Sequence, residues 1–260
     1  MSRLAAAVLA LLLMPAARAA MVEEPVEWSV GKDRFSGVLV YDDAVATKRP
    51  GLLMVPDWRG ITPPNVAKAR DIAGRDYVVL VADMYGKGVR PKDDAEAREL
   101  VTRLYADPGT LRARATRALE VLRAQAGKAP MDTARMAAFG YCFGGSTVLE
   151  LARSGADLAG VVSFHGGLST SLPAAPGTLK ASVLVLNGAD DKGTAGDIAG
   201  FEKEMNAAGA DWQFVNFSGA VHCFALPHAN RPGCMYNPRA ATRSERMMRD
   251  FLVERFSVAR

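Results

Sequence analysis

The stretch Met136-Ala137-Ala138-Phe139-Gly140-Tyr141-Cys142-Phe143-Gly144-Gly145-Ser146 changes character at its centre. An apolar run ends in a Gly-x-Cys-x-Gly turn, and a helix-like segment follows. A strand that turns this sharply into a helix strains its central residue and tolerates only small neighbours. Gly140 and Gly144 supply that space, and Gly145 lets the helix approach the sheet closely. The turn would lift the Cys142 side chain above the sheet, with the positive end of a helix beneath it to favour a thiolate. The backbone N–H of Phe143 would point at a developing oxyanion. The plain alternative is a buried structural cysteine in a glycine turn. Ser146 is a competing nucleophile, but it falls inside the helix.

Outward from this stretch, short apolar runs alternate with longer helix-like segments. Strands are predicted over Gly37–Tyr41, Gly51–Val55, Tyr77–Ala82, Arg135–Phe139, Gly160–Phe164, Ser182–Asn187 and Trp212–Phe217. Most are continuously apolar, which fits strands covered on both faces. Helices are predicted over Val66–Arg75, Asp93–Tyr105, Pro108–Gln125, Gly144–Ser154, Ala195–Ala208 and Ala240–Phe256, with Asp107 capping and Pro108 at a first helical position. The alternation predicts an α/β fold: a mostly parallel sheet with helices on both faces.

Active sites of such sheets lie at the carboxyl ends of the strands. Asp57, Tyr85, Cys142 and Asp191 each follow a predicted strand, and His222 follows the last one. For a nucleophile on this kind of turn the chain order is nucleophile, acid, histidine. His222 is the candidate base, and an acid would fix its tautomer. Asp191 suits that role better than Asp190, which is expected to face solvent or cap. His165, in the segment Phe164-His165-Gly166-Gly167, precedes the acid and reads as a hydrogen-bonded structural histidine. His228 reads as peripheral. No H-E-x-x-H, C-x-x-C or Walker pattern occurs, so no metal site and no cofactor is expected.

The chain has 260 residues, of which 49% are apolar and 23% charged, and it carries three cysteines. That composition suits one folded domain and excludes disorder, coiled coil or a disulfide-dense miniature fold as the main architecture. Residues 1–19 read as a secretory signal peptide: Arg3, a short apolar run Leu4–Met14, Pro15, then Ala17-Arg18-Ala19. The remainder, 20–260, reads as a single domain without a membrane span, periplasmic or secreted. Loss of Arg3 and Arg18 lowers the net charge from +4 to +2. With no long basic block, nucleic acid is not an expected partner. Export implies oxidising conditions. Cys223 and Cys234 could then close a small loop and leave Cys142 free; the alternative is three reduced, buried cysteines.

These residues together resemble the dienelactone hydrolase family of the α/β-hydrolases, across nearly the whole mature chain. Gly140-Tyr141-Cys142-Phe143-Gly144-Gly145 looks like that family's nucleophile motif, and Asp191 and His222 match its acid and base. Most α/β-hydrolases carry serine at the turn, which makes the cysteine specific. The resemblance implies an oxyanion hole from the N–H groups of Trp58 and Phe143. It also implies that Asp57, where the family commonly has Glu, holds the resting thiol, and that Tyr85 faces the pocket. Lys87 and Leu226 stand where dienelactone-cleaving members hold the substrate carboxylate with arginines. Lys87 keeps the charge without the planar fork, and Leu226 loses it.

The implied activity is hydrolysis of a small-molecule ester or lactone through a thiol ester, with no cofactor. A general carboxylesterase, thioesterase or acyl-transfer enzyme has the same chemistry. Phe143, Phe224 and Leu226, expected near the mouth, favour a less anionic substrate. A non-catalytic binding protein on the same scaffold and a thiol-redox protein are the readings from other classes.

Overall fold

The predicted apolar runs pair in one sheet, and an additional strand joins them at its edge. The computed structural model describes residues 21–257; the signal-peptide reading of residues 1–19 lies outside the described residues. In chain order the elements are β1 (Met21–Val30), β2 (Asp33–Asp42), β3 (Arg49–Val55), α1 (Pro63–Ala73), β4 (Val78–Val81), α2 (Asp94–Ala106), α3 (Pro108–Ala124), β5 (Met131–Tyr141), α4 (Phe143–Arg153), β6 (Gly160–Phe164), β7 (Ser182–Gly188), α5 (Ile198–Ala208), β8 (Trp212–Phe217), β9 (Asn230–Arg231), β10 (Cys234–Met235) and α6 (Pro238–Ser257). The main sheet runs β1-β2-β4-β3-β5-β6-β7-β8. From β4 to β8 neighbouring strands are parallel, whereas β2 is antiparallel to both β1 and β4.

Both faces of this sheet are covered, which is why the strands read as unbroken apolar runs. Along β3, Leu53 and Val55 point into a core shared with α3, α4 and α5, while Leu52 and Met54 point into one shared with α1 and α6. The period of two in the strand thus feeds two separate apolar layers.

Strand β1 was not anticipated by the periodicity. It carries Glu23, Glu24, Pro25 and Glu27, and mostly its Trp28 is buried. An edge strand tolerates both features, because its outer face is wet and a missing N–H need not break a ladder. Element boundaries also moved. Helix α1 starts at Pro63, three residues before the predicted Val66, because Thr62 accepts a hydrogen bond from the Asn65 N–H as an N-cap. The Asp107 cap and Pro108 start of α3 are as predicted, with Asp107 accepting from the Thr110 N–H at 2.9 Å.

Candidate active site

At the end of β5 the backbone turns through Cys142 at φ 54°, ψ −116°, and α4 starts at the next residue. A side chain there is in the left-handed region, and such strain persists only where the surroundings over-determine it. Three glycines do so. A Cβ on Gly140 would strike the backbone of Gly144, one on Gly144 would strike the Val55 carbonyl of β3, and one on Gly145 would lie 2.7 Å from Ser163 Oγ of β6. The Cys142 N–H is held by the Phe164 carbonyl at 2.9 Å. Helix α4 is therefore pressed against the ends of β3 and β6, and the thiol is carried at its N-terminus.

His222 Nε2 lies 3.0 Å from Cys142 Sγ, and His222 Nδ1 lies 2.7 Å from Asp191 Oδ2. Asp191 is buried at the end of β7, and its other oxygen accepts the Gly193 N–H at 2.9 Å. Asp190 is exposed, and its N–H goes to the Ala220 carbonyl. The geometry thus selects Asp191 between the two acids. Burial works against the Asp191 carboxylate, but His222 and the Gly193 N–H outweigh it and hold the carboxyl below its ordinary value. Burial likewise opposes a proton on His222. Its hydrogen bonds to Asp191 and Cys142 overcome this and lift the imidazole to about 10.

The segment after β3 lies across from this triad. Phe143 is the first residue of α4, so its N–H has no partner within the helix. Tyr85 stacks on the Phe143 ring at 5.6 Å and donates its hydroxyl to the Trp58 carbonyl at 2.8 Å, which holds the Trp58–Arg59 peptide. Tyr105 also packs on Phe143, tilted, with ring centroids 5.8 Å apart, and donates to Ser146 Oγ at 3.0 Å. Ser146 also accepts the Gly167 N–H, so its hydroxyl is committed to structure. Beside it opens a cavity of about 250 Å³ lined by Tyr105, Leu111, Ser146, Glu150, Gly167 and Thr170.

Several expected positions differ. Asp57 is buried, and its carboxylate accepts from the Arg59 N–H at 2.8 Å and from Asn65 Nδ2 at 3.3 Å, which shapes the Trp58 loop. Burial raises its pKa. Lys87 is not gathered with the triad; its ammonium pairs with Glu27 of β1 at 2.6 Å. The edge strand β1, invisible in the periodicity, captures it. Phe224 and Leu226 belong to the apolar layer under α1 and α6, with 0% and 7% exposure, and Phe143 is 2% exposed. All three are buried rather than exposed at a mouth, although Leu226 lines a cavity with Pro64, Asn65 and His228. His165 is not hydrogen-bonded through its ring: both nitrogens are buried without a partner among the described residues. Burial, reinforced by the neighbouring His222, keeps it neutral far below its ordinary value. Its ring packs edge-on against His222 at 5.1 Å. His228 is exposed, as expected.

Sequence reasoning missed the guanidinium groups of Arg59, Arg98 and Arg231, which lie 5.5, 5.8 and 5.8 Å from the Trp58 ring. Asp94 pairs with both Arg59 and Arg231. They come from three distant segments, and no local pattern marks them. Cys223 and Cys234 are disulfide-bonded and Cys142 is the free thiol. Among the described residues no cluster suited to holding a metal ion occurs, and no helix is long and apolar enough to cross a membrane.

Residues 35–256 match the model described as the dienelactone hydrolase family. A solved structure named m3DLH is 36% identical with a TM-score of 0.85, covering 92% of this chain and 100% of that one. A dienelactone hydrolase-like promiscuous phosphotriesterase, P91, from metagenomic libraries is 33% identical over the same shares, also with a TM-score of 0.85. An uncharacterized protein of Caenorhabditis elegans is 33% identical over 134 residues, 49% of this chain and 84% of its own length.

Proposed function

The chain belongs to the dienelactone hydrolase family and has the α/β-hydrolase fold, and from that membership we propose that it is an exported carboxylic ester hydrolase, cleaving an ester or lactone carbonyl through Cys142. One observation carries the reading: a single imidazole bridges the free thiol and a buried carboxylate, at 3.0 and 2.7 Å.

Cys142 Sγ adds to the carbonyl carbon with its proton held on His222 Nε2. The oxyanion accepts from the N–H groups of Phe143 and Trp58, each worth about 3 kcal/mol in the transition state. The carbon–oxygen bond then breaks, and the leaving alkoxide takes the proton from His222 Nε2. Water, deprotonated by the same nitrogen, attacks the resulting thiol ester, and the sulfur departs with the proton again on His222. Asp191 keeps Nδ1 protonated throughout, so Nε2 always faces the reacting atoms.

The two carboxylate-binding arginines of dienelactone-cleaving members are replaced by Lys87, which pairs with Glu27, and by buried Leu226. These departures support a general ester, lactone or thioester specificity beside dienelactone itself. The likeness to a promiscuous phosphotriesterase adds a phosphotriester to the substrates worth assaying. The signal-like residues 1–19 and the paired Cys223 and Cys234 support export.

The test is a panel of short-chain p-nitrophenyl esters, lactones, dienelactone, thioesters and a phosphotriester, with Cys142→Ala as the blank. Turnover by the parent and none by the variant, with unchanged circular dichroism, is the expected result. Equal turnover by both refutes Cys142 as nucleophile. No turnover together with no labelling of Cys142 by an activated ester favours a binding protein. Fractionation of expressing cells, with sequencing of the mature N-terminus, checks export and cleavage after Ala19.

A further inference from the structure

The disulfide lies at the most sensitive point of the site. Cys223 directly follows His222 and holds a left-handed backbone at φ 63°, a conformation that a non-glycine residue keeps only under outside constraint. Its sulfur is bonded to Cys234. Cys234 in turn sits beside His222 in an isolated parallel bridge, and the Met235 N–H donates to the His222 carbonyl at 3.0 Å. The peptide carrying the imidazole is therefore held by the disulfide at the next residue and by the Met235 hydrogen bond at its own carbonyl. The far arm of the same loop carries Arg231 of β9 over the Trp58 ring and onto Asp94. One closed loop thus holds the base in place and packs against the residue whose N–H faces the oxyanion.

We propose that Cys223 and Cys234 are positioning residues whose oxidation state sets the turnover of the site: bonded, they fix His222 on Cys142; reduced, they release it. The inference rests on the reading of Cys142 and His222 as nucleophile and base. The reductant is a dithiol. Its thiolate attacks the half-buried Cys234 sulfur, because Cys223 is 5% exposed; the sulfur–sulfur bond breaks and Cys223 leaves as a thiolate. The second thiol of the reagent then displaces Cys234. The reagent ends as a disulfide, and the protein gains two electrons and two protons as two thiols. Once freed, Cys223 can leave its left-handed conformation, and the imidazole loses the register that its 3.0 and 2.7 Å contacts require. Misplacement of a reacting group by an ångström costs on the order of 100-fold in rate.

The experiment uses the full mature protein, with free thiols counted after denaturation. The oxidised form should show one thiol and the dithiothreitol-treated form three. Relative to the oxidised form, the reduced form and Cys223→Ala/Cys234→Ala should lose about 10- to 100-fold in kcat, with KM changed less than threefold. Reoxidation should restore the rate of the reduced form. In parallel, the proton NMR titration of His222, which needs no substrate, should move from about 10 towards the ordinary histidine value. Three free thiols in the exported protein before any reductant overturn the proposal. So does a form with three thiols whose kcat stays within twofold and whose His222 titration stays in place, even if its melting temperature falls. If the double variant does not fold, the reduced parent carries the test. If the hydrolase reading itself fails, the esters go unturned in every form, and the His222 titration still decides whether the disulfide positions the imidazole.

Discussion

The imidazole of His222 is the side-chain hydrogen-bond partner of Cys142 among the described residues, so the thiol is coupled to that imidazole. The His222 value of about 10 is a balance in which burial opposes the proton and Asp191 and Cys142 favour it. Asp191→Asn removes one of the two groups that favour the proton and leaves Cys142 alone to oppose burial. The His222 titration should then fall, read by NMR of the ring protons, and kcat should drop by about 1,000-fold or more. A retained value near 10 would show that Asp191 is not what lifts it. His222 is raised in the folded state, so its contribution is complete below about pH 6.5 and is lost as pH climbs through about 10. Asp191 is lowered, so its contribution is present above the ordinary carboxylate value and disappears as pH falls through its folded value. The parent should therefore melt highest between these limits, and Asp191→Asn should flatten both flanks in a melting-temperature series. At this scale the sequence was most informative where chemistry dictates chain order: Cys142, Asp191 and His222 sit in the order that a strand–turn–helix nucleophile needs. It failed at Lys87, whose partner Glu27 lies on a strand the pattern did not reveal, and at His165, whose lack of ring partners no local residue foretells.

Helix α4 reaches the sheet only because its first turn has no side chain facing β3. Gly144→Ala would place a methyl group on the Val55 carbonyl, which is backbone and cannot rotate away. The helix must shift, taking the Cys142 sulfur and the Phe143 N–H with it. We expect a loss of about 1–3 kcal/mol in urea unfolding and a fall in kcat larger than any change in KM. Gly200 is the counter-case. It lies inside α5 with nothing within 4 Å of an added Cβ, so Gly200→Ala should stabilise by about 0.5–1 kcal/mol and leave kcat unchanged. Equal effects of the two substitutions would mean that helix propensity, not the close approach of α4 to β3, governs the glycines. The elbow glycines were readable in the sequence because a strained turn needs them at fixed spacing. Strand β1 was not, because the consecutive Glu23 and Glu24 and then Pro25 break the alternation, which an edge strand tolerates. The three arginines over Trp58 were equally hidden, since they meet only after β3, α2 and the disulfide loop are folded together.

Across the whole molecule, the parallel run from β4 to β8 sends the segments bearing Asp57, Tyr85, Cys142, His165, Asp191 and His222 to one edge, so alternation alone was enough to say where the site is. What keeps that edge in register on the α3–α5 side is an ionic network that periodicity could not show. Arg153, at the end of α4 and 3% exposed, donates to Glu150 at 2.9 Å, to Glu204 of α5 at 2.8 Å and to the Leu168 carbonyl at 2.6 Å. Arg112 of α3 closes the other side of Glu150 at 2.8 Å. Two carboxylates and two guanidinium groups thus join three helices and the loop after β6, next to the cavity that Glu150 and Gly167 line. Removing one cation from such a set costs more than the pair itself contributes, because a desolvated carboxylate is left behind. Arg153→Met should therefore lower the unfolding free energy by about 3–5 kcal/mol, seen as an earlier urea midpoint at an unchanged slope. Adding Glu150→Gln to that variant removes one of the stranded charges and should recover part of the loss. A loss below about 1 kcal/mol for Arg153→Met, the size typical of an exposed pair, would place the support of α4 in its apolar packing alone.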